Sequence, residues 1–198
     1  MNIQNVIFDL GKVLVDFDFD IFFKKLGYDP KDRHLDEASE PILLFESGKM
    51  KKIDFISRMR KIYNFNLSDE DFEKIWCEGI FTEIPEMIEL AEKIGQKYNI
   101  FILSNTDEIH FPHIWKKFPS LHFFKNNLLL SYELDAVKPE PEIYLNALNK
   151  FDLNPRESIF IDDRSINIKT AEEVGFYGIL NENSEKTIKH LEKILDFI

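Results

Sequence analysis

One cysteine among 198 residues, Cys77, excludes an internal disulfide and fits a reducing cytosol. Basic residues are outnumbered by acidic ones. Lys and Arg number 25 against 36 Asp and Glu, a formal net charge of −11, and they are dispersed. No run of them would hold a phosphate backbone, so a nucleic-acid partner is not expected. Long apolar runs are missing too, and none approaches the length that crosses a bilayer. The N-terminal apolar segment lacks a basic stretch and is broken by Asp9, so it does not read as a secretory signal. There is no internal repeat, low-complexity tract or flexible linker. These absences leave a soluble cytoplasmic chain long enough for one α/β core and a modest insertion; the expected assembly, monomer or homodimer, stays open.

Short apolar runs are present, at about 5–10, 99–104, 127–132, 158–162 and 177–180. They lack clean alternation, as expected of strands buried on both faces of a parallel sheet. Helical patterns separate the later ones. Pro85 and Pro141 stand where a first helical turn accepts proline. Gly175 follows Ile168, Ala171 and Val174 as a C-terminal cap, and Ile188, Leu191, Ile194 and Leu195 mark a last surface helix. This alternation predicts an α/β fold with a doubly wound parallel sheet. Residues 16–83 break the rhythm with helical patterns and no convincing strand. Ser68 there reads as an N-cap before Asp69, Glu70 and Asp71. The expected division is a core of 1–15 and 84–198, with 16–83 inserted after the first strand. The 19 phenylalanines read mainly as core filling.

Polar residues punctuate the ends of the apolar runs. Asp9 follows Val6-Ile7-Phe8, Ser104-Asn105-Thr106 follows Ile102-Leu103, Asp162-Asp163 follows Phe160-Ile161, and Lys138-Pro139 lies in a turn. Each alone has an ordinary reading: a turn former, an N-cap, a surface lysine, a helix cap. Ligands of open parallel sheets, however, bind beyond the carboxyl ends of the strands, and these groups converge there. Paired carboxylates facing Asp9 repel it unless a cation lies between them. Oxygen-only donors favour Mg²⁺.

With these motifs in this order, the chain resembles the haloacid dehalogenase-like hydrolases along nearly its whole length. The carriers are Val6-Ile7-Phe8-Asp9-Leu10-Gly11, Ile102-Leu103-Ser104-Asn105-Thr106, Lys138-Pro139-Glu140-Pro141-Glu142-Ile143-Tyr144, and Phe160-Ile161-Asp162-Asp163 with Asn167, Ala171 and Gly175. Phe45-Glu46-Ser47-Gly48-Lys49 resembles a cap segment of the branch holding small sugar-phosphate phosphatases and the phosphatase domain of epoxide hydrolases. The resemblance implies a Rossmann-like core with a helical cap, acting as a Mg²⁺-dependent phosphomonoester hydrolase on a small phosphorylated metabolite. It implies Asp9 as nucleophile through an aspartyl-phosphate and Ser104 and Asn105 at the phosphoryl oxygens. Lys138 would neutralise charge around both. Asp9, Asp163 and the Gly11 carbonyl would hold the metal, with Asp162 and Asn167 orienting that shell.

One position departs from the pattern. Phosphatases of the family usually carry a second aspartate two residues after the nucleophile, as general acid and base; here it is Gly11, followed by Lys12-Val13. Asp16, Asp18 and Asp20 come next, and Asp16 is the first candidate to supply the missing function, beside a plain reading as helix caps or solvated charges. Two rivals stay open: a metal-independent dehalogenase, which also lacks an acid at this position, and a catalytically weak relative that binds a phosphorylated ligand or a protein. His110 and His113 invite a second metal site, against which Pro112 disfavours a regular helix. Cys77 reads as packing rather than nucleophile. Trp76, Phe45 and Tyr63 read as cap core rather than a substrate entrance.

Overall fold

A computed structural model describes residues 2–29 and 35–196. Its strands are β1 (Asn5–Phe8), β2 (Val15–Phe17), β3 (Phe81–Glu83), β4 (Asn99–Ser104), β5 (Leu128–Leu130), β6 (Ser158–Asp162) and β7 (Tyr177–Leu180). The helices are α1 (Asp20–Lys25), α2 (Leu35–Glu46), α3 (Lys52–Ile62), α4 (Asp69–Cys77), α5 (Pro85–Ile94), α6 (His110–Lys117), α7 (Ser131–Leu134), α8 (Pro141–Phe151), α9 (Ser165–Val174) and α10 (Ser184–Ile194). The five apolar runs become one parallel sheet in the order β5-β4-β1-β6-β7. The sheet winds outward in both directions from β1, as the sequence pattern implied.

All four residues of β1 are buried, so the strand shows no alternation of polarity even though its side chains alternate between faces. Ile7 packs on one face with Phe101, Leu103 and Phe160, against Ile143 and Tyr144 of α8 and Ala171 of α9. Val6 and Phe8 point to the other face with Ile102 and Ile161, in the cluster that contains Met87 of α5 and Leu191 of α10. Local chemistry sets the helix ends. Pro85 and Pro141 occupy first turns, the Ser68 hydroxyl accepts the Asp71 amide at 3.1 Å, and Gly175 closes α9 at φ 112°. Pro112 lies inside α6 after all. It stands in the first turn, where the missing N–H has no intrahelical partner to lose.

Between β2 and β3 run α1 to α4. The sequence offered no strand in this stretch, yet β2 and β3 pair antiparallel at its two ends, Val15 opposite Glu83 and Phe17 opposite Phe81. Three residues apiece are too few to display a period of two. The pair fastens the outgoing and returning chain together. Aromatic rings fill the space between the helices. Phe22 meets Trp76 edge-on at 4.6 Å, and Phe45 stacks on Phe55 at 4.3 Å. Phe45, Tyr63 and Trp76 are buried here, in the role of interior packing. Each such ring contributes about 1.5–3 kcal/mol by leaving water, and this is where much of the phenylalanine goes.

Candidate active site

The strand order fixes the site. Because β4 and β6 flank β1, Phe8 lies between Ile102 and Ile161, and the residues that follow all emerge at one edge. The Asp9 amide still donates to the Ile161 carbonyl at 2.8 Å, which holds the backbone at the strand tip. Lys138 enters from the turn before α8 with its side chain 2% exposed. Its ammonium reaches Asp9 Oδ1 at 2.8 Å, Asp162 Oδ2 at 2.7 Å and the Leu103 carbonyl at 3.1 Å, so all three of its hydrogens are used. Burial pulls the Lys138 pKa down, but Asp9 and Asp162 outweigh it and hold it above the ordinary value. Asp9 Oδ1 also accepts the Leu10 amide at 2.7 Å, whereas Oδ2 accepts no hydrogen bond among the described residues.

Asp162 is fully enclosed and committed. Beside Lys138 it accepts the Arg164 amide at 2.8 Å and the Asn167 carboxamide at 2.9 Å and 3.0 Å. The Asp163 carboxylate meets no side-chain donor among the described residues, and its pKa is raised by burial and by Asp162, against the pull of Lys138 and of its own backbone amide. Ligand atoms of Asp9, Asp162 and Asp163 all lie within 4.8 Å of one another. Three carboxylates thus face one ammonium. Burial pushes the Asp9 carboxyl up to about 7 against Lys138, and Asp162 and Asp163 add to the rise. The Asn167 Oδ1 atom is buried with no hydrogen-bond partner among the described residues. Spare oxygen donors around an uncompensated negative charge fit a hard divalent cation such as magnesium. Among the described residues this is the one cluster of acidic, histidine or cysteine side chains with that geometry.

The other expected residues divide. Ser104 is 3% exposed at the end of β4, its hydroxyl donates to the Asn105 carbonyl at 3.2 Å, and the residue lines a cavity together with Asn105 and Thr106. The Asn105 carboxamide is occupied at both ends: it donates to the Lys138 carbonyl at 2.9 Å and accepts the Lys138 amide at 2.8 Å. It therefore positions the lysine, with one carboxamide hydrogen left over for a phosphoryl oxygen. Gly11 faces the cavity beside Asp9. A Cβ at Gly11 would come within 2.9 Å of the Phe17 ring, so Phe17 stands in the space where a side chain at position 11 would go. Asp16 is not brought to that cavity. It is exposed, paired with Lys12, and accepts the Phe17 amide at 2.8 Å. The Lys12 ammonium holds its carboxyl below the ordinary value, the wrong direction for a proton donor. It shares an outer groove with Asp163 and Asn181. Asp18 accepts the Asp20 amide at the start of α1.

One group that sequence reasoning did not assign enters from elsewhere. Glu46, the last residue of α2, reaches the same cavity as Asp9, Lys138 and Asp163. Burial pushes its carboxyl up to about 7, and Asp107 adds to the rise against His110, Lys138 and Arg164. The stretch Phe45–Lys49 stood out in the sequence, but nothing there marked this carboxylate as reaching Asp9. His110 does not form a metal site with His113. Its Nδ1 lies 2.8 Å from Asp107 Oδ2 and its Nε2 lies 3.0 Å from the Trp76 carbonyl, two acceptors that call for both ring hydrogens. Burial lowers its pKa, but Asp107 outweighs it and the net shift is upward. Burial and Lys117 lower that of His113. Cys77 is buried with its thiol pushed up to about 12, inert as a nucleophile.

A family model described as haloacid dehalogenase-like hydrolase matches residues 3–175. The D-ribitol-5-phosphate phosphatase of Bacteroides thetaiotaomicron is 30% identical over 207 residues, covering 98% of this chain and 99% of that one. Bifunctional epoxide hydrolase 2 of Mus musculus is 36% identical over 75 residues, 38% of this chain but 13% of that protein. Among solved structures, a HAD family enzyme from Bacteroides thetaiotaomicron superimposes with a TM-score of 0.85 at 29% identity, covering 97% of this chain and 99% of that one. The wild-type form of that enzyme in complex with magnesium and inorganic phosphate superimposes with a TM-score of 0.76 at 28% identity, covering 90% and 93%.

Proposed function

The chain belongs to the haloacid dehalogenase-like hydrolases, and from that membership we propose that it hydrolyses the phosphate ester of a small soluble metabolite, a sugar or polyol phosphate of the cytoplasm, with Asp9 as nucleophile and Mg²⁺ as cofactor. The observation that carries this reading is the cluster of Asp9, Asp162 and Asp163 around one fully engaged ammonium. Asp9 Oδ1 is tethered by Lys138 and the Leu10 amide, which leaves Oδ2 to attack phosphorus and form an aspartyl-phosphate. Ser104 and the neighbouring backbone amides hold the phosphoryl oxygens. Lys138 fixes the nucleophile and balances its charge, and Asn105 fixes Lys138. Asp162 and Asn167 orient the acidic edge from behind. Asp9, Asp163 and the Gly11 carbonyl would hold magnesium, which when bound lowers the repulsion between nucleophile and phosphate.

Residues 16–83 serve as a cap over a core of 1–15 and 84–198. The cavity next to the phosphoryl site is small, about 100 Å³, and partly walled by Phe17, Phe19 and Phe81, which favours a compact substrate. Dehalogenation needs no metal, and the surplus of carboxylates speaks for the phosphatase over it. So does the similarity to an enzyme crystallised with magnesium and phosphate.

The test is phosphate release from a panel of sugar and polyol phosphates, with Mg²⁺ or with EDTA, for the wild type and Asp9→Asn. Metal-dependent turnover abolished by Asp9→Asn is the expected result. No release above background on any ester would overturn the reading.

A further inference from the structure

Gly11 leaves the proton chemistry of the proposed reaction without an owner, and the structure blocks the usual solution. The Phe17 ring fills the space that a side chain at position 11 would need, and Asp16 is turned outward and paired with Lys12. A replacement has to stand where the leaving oxygen stands, between the phosphoryl group and the body of the substrate.

Two cavities meet at this point. One, of about 200 Å³, is lined by Asp9, Lys138 and Asp163. The other, of about 100 Å³, is lined by Ser104, Thr106 and His110 beneath the phenylalanines. Four residues line both: Gly11, Phe17, Glu46 and Asn105. Gly11 and Phe17 have no proton to exchange, and the Asn105 carboxamide, which holds Lys138, is neither a general acid nor a general base. Glu46 remains. Its carboxylate makes no hydrogen bond or ion pair with any described residue, so none of them competes for its proton.

Its backbone is held firmly. The Ser131 hydroxyl donates to the Glu46 carbonyl at 2.6 Å and accepts the Thr106 amide at 3.0 Å, which ties the end of α2 to the loop that follows Ser104. Two residues on, Gly48 adopts φ 70° with its Cα against the Tyr132 carbonyl. The side chain is thus presented by a helix end anchored to the core rather than by a free loop.

We propose that Glu46 is the general acid and base of this enzyme, taking the place of the aspartate that Gly11 lacks. The proposal rests on the phosphatase reading given above. Asp9 Oδ2 attacks phosphorus, the ester P–O bond breaks, and the carboxylic acid of Glu46 gives its proton to the departing oxygen, so the alcohol leaves neutral. Water then attacks the aspartyl-phosphate, its proton passes to the Glu46 carboxylate, and the P–O bond to Asp9 breaks. Phosphate is released with Asp9 free and Glu46 protonated again. The raised affinity of Glu46 for its proton, caused by burial and by Asp107 against Lys138, Arg164 and His110, supports a group that must hold a proton near neutrality and still release it.

The experiment compares p-nitrophenyl phosphate with phenyl phosphate, esters of similar size whose leaving groups differ widely in basicity. It uses Mg²⁺-loaded wild type, Glu46→Gln and Glu46→Asp, with a thermal melt of each variant to establish folding. General acid catalysis is worth roughly 10²–10⁴-fold where the leaving group needs a proton. Glu46→Gln is therefore expected to lower kcat/KM on phenyl phosphate by about 10²-fold or more and to affect p-nitrophenyl phosphate far less. On the latter, a pre-steady-state burst of p-nitrophenolate is expected, because phosphoryl transfer to Asp9 outruns its unassisted hydrolysis. Glu46→Asp restores part of the loss on phenyl phosphate. Equal losses on both esters without a burst, or no loss on either, would overturn the role. Wild-type turnover that survives Asp9→Asn would overturn the phosphatase reading itself, a different result from either.

Discussion

Lys138 has no hydrogen to spare. Its three donors are taken by Asp9, Asp162 and the Leu103 carbonyl, so its loss strands two enclosed carboxylates at once. Removing one partner of a buried ion pair costs about 3–5 kcal/mol, because the other charge stays without compensation. Lys138→Met is expected to lose stability on that scale in urea unfolding and to lose phosphate release entirely. Lys138→Arg is expected to rescue neither, since a planar fork does not replace a point charge held by three converging acceptors. A Lys138→Met protein with an unchanged urea midpoint would show that the triad carries no folding energy. The resemblance pointed to Lys138, Asp9, Asp162 and Asp163 from the sequence, because the three aspartates end apolar runs and Lys138 stands before a proline in a turn. Asn105 was legible as a site residue but not in its action, since spacing does not say that its carboxamide spans the Lys138 backbone. Glu46 was not legible as a partner of Asp9. Its meeting with Asp9 depends on how α2 docks, and no local pattern encodes a contact between residues so far apart.

At the level of elements, the five core strands could be read because burial on both faces leaves a continuous apolar run, and the helices because prolines, Ser68 and Gly175 punctuate them. β2 and β3 could not be read at three residues each. They matter nonetheless, because they fix the neck from which α1 to α4 extend and bring Phe17 over Gly11. The far end of that segment is fixed by α2. Gly48 sits at φ 70°, and a Cβ there would run into the Tyr132 carbonyl oxygen. Both the backbone conformation and the space are therefore reserved for glycine. Gly48→Ala is expected to cost about 1–3 kcal/mol of stability and, by shifting the turn that carries Glu46, to reduce kcat/KM beyond what the lost folded fraction explains. Thermal melts and kinetics on the same samples separate the two effects. A variant with wild-type melting and kinetics would mean that the α2 turn is not anchored as described.

Over the whole molecule, the site works against stability as pH rises. Asp9 titrates near 3.8 in a free chain and at about 7 in the fold, and Glu46 moves from 4.5 to about 7. Between those values the folded state keeps protons that the unfolded chain has released, so stability falls with rising pH and stops falling above the folded values. Each enclosed carboxyl accounts for a few kcal/mol, at about 1.4 kcal/mol per pH unit. His110 acts in the same direction. Its pKa is raised in the fold, so the stability of its contacts with Asp107 and Trp76 is complete below the ordinary histidine range and is lost as pH climbs past its folded value. A formal net charge of −11 adds general repulsion once the acids have ionised. Among the enclosed carboxyls, Asp107 acts in the opposite direction: burial raises its pKa but His110 outweighs it and holds it below the ordinary value, so it draws stability away as pH drops through its folded value; the exposed Asp16, paired with Lys12, does so weakly. The melting temperature in EDTA is therefore expected to decline from about pH 5 to about pH 8. Asp9→Asn and Glu46→Gln should each flatten that decline, since a neutral amide removes the buried charge. Added Mg²⁺ should raise the melting temperature more at the alkaline end, where Asp9 is ionised and available to it, than at the acid end. A melting temperature that rises from pH 5 to pH 8 in EDTA would mean that the enclosed carboxyls are already ionised and compensated in the fold. The case for a cation-requiring centre would then fall with it, because its physical basis is the uncompensated charge of Asp9, Asp162 and Asp163.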